Sequence, residues 1–192
     1  MRTTSPGESA LLLLDAVDVL TAEGINYAVV GAMAGSVHGI VRASFDADAV
    51  LSLAVQRAPE LERKFKAAGF RTTLRRGDQD DPIGALLSLS DGFENRVDLL
   101  IGLRGLEPAA FSRAMELTFE KAPLRVIGLE DFIAMKVFAG GPQDLADARA
   151  AISTGSQAVD LTLLRRLAGK YGGATAGMLE KLLADAGGSA PG

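Results

Sequence analysis

The chain has 192 residues, with 20 Lys and Arg against 24 Asp and Glu, a formal net charge of −4 and a pI near 5.1. That balance excludes nucleic-acid binding through a global basic field, and the absence of cysteine excludes disulfides. A chain of this length predicts one domain with a tail or a helical appendage that buries roughly 70% of its unfolded surface. Because aromatics are 5% and tryptophan is absent, the core must be built from Leu, Val, Ala and Ile.

In chain order, residues 8–23 are predicted as a helix. The run Leu11 to Leu14 is interrupted by Asp15 and Asp18 and has no basic flank, so it is amphipathic and not a signal peptide. No apolar stretch approaches a membrane-spanning length, which makes the cytoplasm the default location. A strand over 26–30, a short small-residue helix over 32–38 and a strand over 47–53 follow. A helix over 57–68 stops before Gly69. Strands are predicted over 70–75, 84–89 and 95–101, a helix over 108–117, a short strand over 124–127 and helices from Leu129 onward, with Gly172 and Gly173 separating the last two. Sheet first and helices last is an α+β pattern. The expected division is a core over 1–128, a C-terminal helical part packed on it over 129–186, and a disordered tail over 187–192.

The residues that carry chemistry begin at Gly31, which closes an apolar strand and opens a helix whose first N–H groups are available to phosphate. Small residues at Ala32, Ala34 and Gly35 allow close approach to that helix. Asp46 and Asp48 then stand two apart at the entrance to a strand. A period of two aims both carboxylates from one face with α-carbons roughly 6.6 Å apart, a spacing at which they can share Mg²⁺. Taken alone, the pair is equally a solvated strand start.

Asp98 lies in the alternating run from Glu94 to Gly102 with Arg96 on the same face, so it can share a sheet with Asp46 and Asp48. A carboxylate in such a run is costly unless it is paired or bound to metal. Lys136 falls in a helix pattern beginning at Leu129, and Pro142, Gln143, Asp144 and Asp147 follow it. Asp144 is also what a capped helix start would place after proline. His38, the single histidine, sits before Gly39 as a capping or packing residue, and no acyl-transfer triad can be assembled. Arg57, Arg63, Lys64 and Lys66 read as a solvated helix face balanced by Glu60 and Glu62. Arg75 and Arg76 border an acidic turn, Asp78 to Asp81, that could neutralise them; Arg165, Arg166 and Lys170 form a third basic group.

A glycine after a strand, a small-residue helix ending in His38-Gly39, then Arg42, Ser44 and Asp46-Ala47-Asp48 resembles the minimal nucleotidyltransferases of the polymerase-beta superfamily. Within it, the order is most similar to the AbiEii-like branch, which includes toxins of type IV toxin-antitoxin systems. The likeness covers roughly residues 10 to 150. It implies a minimal nucleotidyltransferase fold, a mixed sheet flanked by helices with a helical C-terminal part. It further implies Mg²⁺-dependent transfer of a nucleoside monophosphate from an NTP to an RNA, tRNA or protein acceptor, and a cognate antitoxin as partner.

By the same resemblance Asp46, Asp48 and Asp98 are metal ligands and catalytic together with Lys136, and Gly31, Ala32, Ser36, Arg42 and Asp144 bind the nucleotide. Two positions depart from the pattern. Ala32 stands where Gly or Ser is expected, and Gln143 stands where a basic residue is often found, leaving the triphosphate grip one charge short. A catalytically degenerate nucleotide- or partner-binding protein of the same fold is therefore the alternative, and a non-catalytic interaction protein a further one.

Overall fold

The computed structural model describes residues 1–42, 44–154 and 158–187. Alternation drives the sheet. In Ile83–Ser90 (β4) and Arg96–Leu103 (β5) every second side chain is buried, with Leu87, Leu89, Leu99 and Ile101 fully so, while Ser88, Ser90, Arg96 and Asp98 occupy the other face. These strands join Tyr27–Val30 (β1), Asp46–Leu51 (β2), Arg71–Arg76 (β3), Met115–Phe119 (β6) and Ala122–Val126 (β7) in one sheet of order β3-β4-β5-β2-β1-β7-β6. The sheet is mixed: β2 runs parallel to β5 and β1 parallel to β7, and the other neighbours are antiparallel.

Helices Ser9–Ala22 (α1) and Ala58–Ala67 (α3) cover the apolar face of β2 to β5, burying Leu12, Leu61 and Phe65 there. Gly31–Val37 (α2) links β1 to β2, and Ala110–Arg113 (α4) precedes β6. Leu129–Ala139 (α5) is buried nearly all round, Asp131 and Lys136 included, and packs against Pro142–Thr154 (α6), Leu161–Lys170 (α7) and Gly173–Gly187 (α8). It stops at Gly140, whose φ of +69° provides the left-handed cap. One continuous apolar core runs from Leu12 to Leu182. The architecture is α+β, as the sequence pattern requires. Of the expected tail, Gly187 closes α8, and 188–192 lie outside the described residues.

One element departs from expectation. The helix over 108–117 extends only across Ala110–Arg113, and residues from Met115 onward form β6, paired with β7. The two-residue hairpin turn is Glu120-Lys121, with φ of +47° and +66°. Both residues are left-handed without being Gly, Asn or Asp, so the turn carried no signal, and Ala, Met, Glu and Leu before it read as helix formers.

Candidate active site

Strand pairing brings the acidic residues together. Asp48 on β2 lies opposite Asp98 on β5, and Asp46 lies opposite Arg96 one pair along. Neighbouring strands put the Asp48 and Asp98 α-carbons roughly 4.8 Å apart on the same face. Ser9 of α1 fixes this end of the sheet: its hydroxyl donates to the Phe45 carbonyl at 2.5 Å and accepts from the Arg96 N–H at 3.0 Å.

At the other side of Asp48 stands Gly31, the first residue of α2, with φ of +64°. A β-carbon at Gly31 would fall 2.1 Å from Asp48 Oδ2, so only glycine lets the strand carboxylate lie against the helix start. Ala32 is buried within α2, and the exposed Ser36 turns its hydroxyl back to the Ala32 carbonyl at 3.2 Å. The same helix ends at His38, whose buried Nε2 lies 2.9 Å from the Ile127 carbonyl and whose ring packs on Phe132. Burial lowers the His38 pKa against the opposing effects of that carbonyl and Glu130, which suits a packing role.

Lys136 reaches the site from α5. It is 9% exposed and is held by Asp144 Oδ1 at 2.7 Å and by Asp147 Oδ2 at 2.9 Å, both from α6. Asp147 is buried and also takes Gln143 Nε2 at 2.8 Å and Arg42 Nε at 3.4 Å. Burial would push its carboxyl up, but the Lys136 and Gln143 hydrogen bonds, with the Lys136 and Arg42 charges, hold it below the ordinary range. Gln143, the departure from the basic pattern, thus serves as a clamp on Asp147. A cavity of about 300 Å³ lies between these elements, lined by Gly31, Arg42, Asp48, Lys136, Asp144 and an apolar lip that includes Phe132 and Met135. A smaller one of about 140 Å³ takes in Ala32, Ser36, Arg42 and Asp46.

No donor hydrogen-bonds to Asp48 among the described residues. Burial and the nearby Asp98 and Asp46 charges push its carboxyl up to about 6, against the weaker opposing influence of Lys136 and Arg42. Asp98 is differently placed, because Arg96 takes both its oxygens, Nε to Oδ1 at 3.1 Å and Nη2 to Oδ2 at 2.7 Å. Among the described residues no three acidic or imidazole side chains already form a metal cage. The donor chemistry nevertheless fits a hard divalent cation: carboxylates on one face, one of them short of positive charge, with Arg96 the ion that would have to yield.

The structure therefore gathers Gly31, Arg42, Asp48, Lys136 and Asp144 around one cavity. Ala32, Ser36 and Asp46 sit in the cavity that shares Arg42, and Asp98 stands across the strand pair. Sequence reasoning did not anticipate the lip of Phe132, Met135 and Ala139, since the apolar positions of a helix buried nearly all round give no sign of which side opens to a cleft.

No family model and no curated protein sequence matches this chain. Solved structures do. ANT(2″)-Ia in complex with adenylyl-2″-tobramycin is 14% identical, with 84% of this chain and 95% of that one covered at a TM-score of 0.56. The solution structure of the antibiotic-resistance factor ANT(2″)-Ia gives 14%, 91% and 92% at 0.58. An antigenic nucleotidyltransferase-like protein from Paracoccidioides brasiliensis gives 12%, 96% and 94% at 0.53. The chain has a nucleotidyltransferase fold.

Proposed function

We propose that this protein transfers a nucleoside monophosphate from an NTP to a hydroxyl-bearing acceptor, releasing pyrophosphate. The observation that carries the reading is Asp48, in register with Asp98, pressed against Gly31 and left without a hydrogen-bond donor in a cavity that also presents Lys136 and Arg42. Asp46, Asp48 and Asp98 would hold Mg²⁺, which when bound orients the triphosphate and neutralises its charge.

The remaining roles belong to the chain itself. The start of α2 at Gly31 and Ala32, with Ser36 and Arg42, would receive phosphate oxygens. Lys136, steadied by Asp144 and Asp147, would meet the negative charge that grows on the departing pyrophosphate. Asp98, once Arg96 withdraws, would accept the proton of the attacking hydroxyl. Phe132 and Met135 would exclude water from one wall.

The sequence order from Gly31 to Asp48, followed by Lys136, Asp144 and Asp147, supports placement in the AbiEii-like branch, with RNA, tRNA or protein as acceptor and a cognate antitoxin as partner. The neighbour's adenylyl-tobramycin makes a small-molecule acceptor the competing choice. A second reading, a degenerate nucleotide-binding protein, is favoured by the closed Arg96–Asp98 pair and by Gln143. Incubation with α-labelled NTPs, Mg²⁺ and total RNA or lysate separates the readings. Transfer of label that disappears in Asp46→Asn is expected; no transfer with any NTP would sink the transferase reading.

A further inference from the structure

The sheet ends at β3 on one side and at β6 on the other, and the two edges differ in kind. β3 carries Arg71, Arg75 and Arg76, and charge of one sign along an edge keeps other strands from pairing onto it. β6 reads Met-Glu-Leu-Thr-Phe, with a single charge, no proline and an unbroken register, and among the described residues it is hydrogen-bonded to β7 alone.

The hairpin shows which backbone groups of β6 are free. In a two-residue hairpin the closing pair, here Phe119 and Ala122, exchanges both its hydrogen bonds, and bonded and non-bonded pairs alternate from there. Phe119, Leu117 and Met115 therefore direct their N–H and C=O groups to β7, and those of Glu116 and Thr118 face outward. Among the described residues no other group hydrogen-bonds to them. The side chains divide in the same way: Leu117 and Phe119 pack partly buried against the core, while Glu116 and Thr118 are exposed. Arg125, across from Glu116 on β7, turns to the Phe111 carbonyl, which leaves Glu116 without an ion pair among the described residues.

A row of outward amide and carbonyl groups fits another strand, and self-pairing about a two-fold axis perpendicular to the sheet is antiparallel. Since the outward groups belong to residues 116 and 118, the registers that join them are centred on residue 116, 117 or 118. Centring on 116 sets Glu116 against its own copy, and centring on 118 sets it against the partner's Glu120. Like charges directly opposite are destabilising. Centring on Leu117 avoids both: Glu116 meets the partner's Thr118 at two equivalent places, Leu117 meets its own copy, and every outward N–H and C=O of residues 116 and 118 is bonded.

We propose that β6 pairs with β6 of a second copy of this chain, antiparallel and centred on Leu117, so that two seven-stranded sheets become one across a two-fold axis. The contact is one short strand wide, at the low end of specific interfaces, so a reversible dimer with a dissociation constant on the order of 10–100 µM is expected. β1 and β7 stand between this edge and the strand of Asp48, and the pairing does not depend on the transferase reading.

The test is sedimentation of the full chain without nucleotide from about 1 to 500 µM, over which wild type should pass from monomer to dimer by mass action. Thr118→Glu places like charges opposite each other at both Glu116 contacts and should weaken the dimer about fivefold or more. Thr118→Lys places opposite charges there and should strengthen it about threefold, a gain that salt erases. Because the chain has no cysteine, a single one reads the register directly. Leu117→Cys, in a non-hydrogen-bonded pair with its own copy and with α-carbons roughly 4.5 Å apart, should oxidise to a disulfide-linked dimer, and Glu116→Cys should do so at least about tenfold more slowly. Wild type that stays monomeric over the whole range overturns the proposal. So does a Thr118→Glu protein that dimerises as tightly as wild type, or a Glu116→Cys protein that cross-links as fast as Leu117→Cys.

Discussion

Two clusters of arginine and carboxylate side chains in this molecule hold their acids in opposite ways. Around Glu107, Arg166 approaches both carboxylate oxygens at 2.8 Å and Arg113 Nη1 approaches Oε1 at 2.8 Å; Arg113 also grips the buried Asp131 with two bonds of 2.8 Å. The hydrogen bonds from Arg166 and then Arg113 bring the Glu107 carboxyl down to about 2 despite some burial. At Asp48, burial and like charges raise the carboxyl to about 6. In the first cluster each carboxylate faces a guanidinium, and the cluster ties α4 and the segment before it to α5 and α7. In the second, Arg96 pairs with Asp98, Lys136 and Arg42 are drawn to Asp147, and Asp48 is left over. Satisfied charge joins elements; unsatisfied charge in a cavity is a place for an incoming cation.

The largest effect that would break this comparison is expected from Asp48→Asn. In the role proposed for Asp48, loss of its carboxylate should lower NMP transfer by roughly a thousandfold or more, read by label transfer. The same change should raise thermal stability. The folded-state value of about 6 lies above the ordinary 3.8, so the folded state binds the proton more tightly and wild-type stability falls as pH rises from about 4 to 6. At pH 7 the neutral asparagine should recover up to about 3 kcal/mol, and the wild-type decline between pH 4 and 6 should vanish from melting curves. An Asp48→Asn protein less stable than wild type at pH 7 would mean that Asp48 is a structural residue.

Arg113→Ala should act in the reverse sense. It strands Asp131, 3% exposed, and removes one of the two guanidinium groups from Glu107, for a loss of about 3 kcal/mol or more. NTP binding per folded molecule should be unaffected. A melting temperature within a degree of wild type would show that the cluster is dispensable.

Much of this contrast was legible from residue order, and the rest was not, for physical reasons. The β1–α2–β2 unit announces itself through the apolar run before Gly31 and the two-residue spacing of Asp46 and Asp48, because both depend on local periodicity. Register across β2 and β5 does not: that Asp48 faces Asp98, and that Arg96 closes on Asp98 instead of extending into solvent, follows from strand pairing between segments about fifty residues apart. β6 was hidden by a hairpin whose left-handed turn is made of Glu120 and Lys121. The apolar lip from α5 was hidden for a different reason: apolar residues at 129, 132, 133 and 137 give the helical period, but not that the side of Phe132 and Met135 opens to a cleft.

Gly31→Ala probes the packing that leaves Asp48 unpaired. The new methyl meets Oδ2 at 2.1 Å and the backbone stays at φ +64°, so a loss of about 1–2 kcal/mol is expected from strain alone, with further loss from the displaced carboxylate. The displaced part should disappear when the carboxylate is removed. The Gly31→Ala penalty measured in an Asp48→Gly background should therefore be smaller than in wild type, a coupling that additive, independent sites would not show.

The smallest effect, and the sharpest contrast in pH, belongs to Glu107→Gln. Here the folded value of about 2 lies below the ordinary 4.5, so the unfolded state binds the proton more tightly. The stabilisation is complete above pH 4.5 and is lost as pH falls toward 2, the opposite direction from Asp48. Arg166 is half exposed, and solvent screening reduces what its pair can contribute, so about 1 kcal/mol is expected at pH 7, or roughly 2–4 °C in melting temperature. Glutamine keeps the shape and removes the charge, so the gap between variant and wild type should close below pH 3. A gap undiminished at pH 2.5 would assign the effect to packing, and the two clusters would then differ in geometry but not in the sign of their electrostatics.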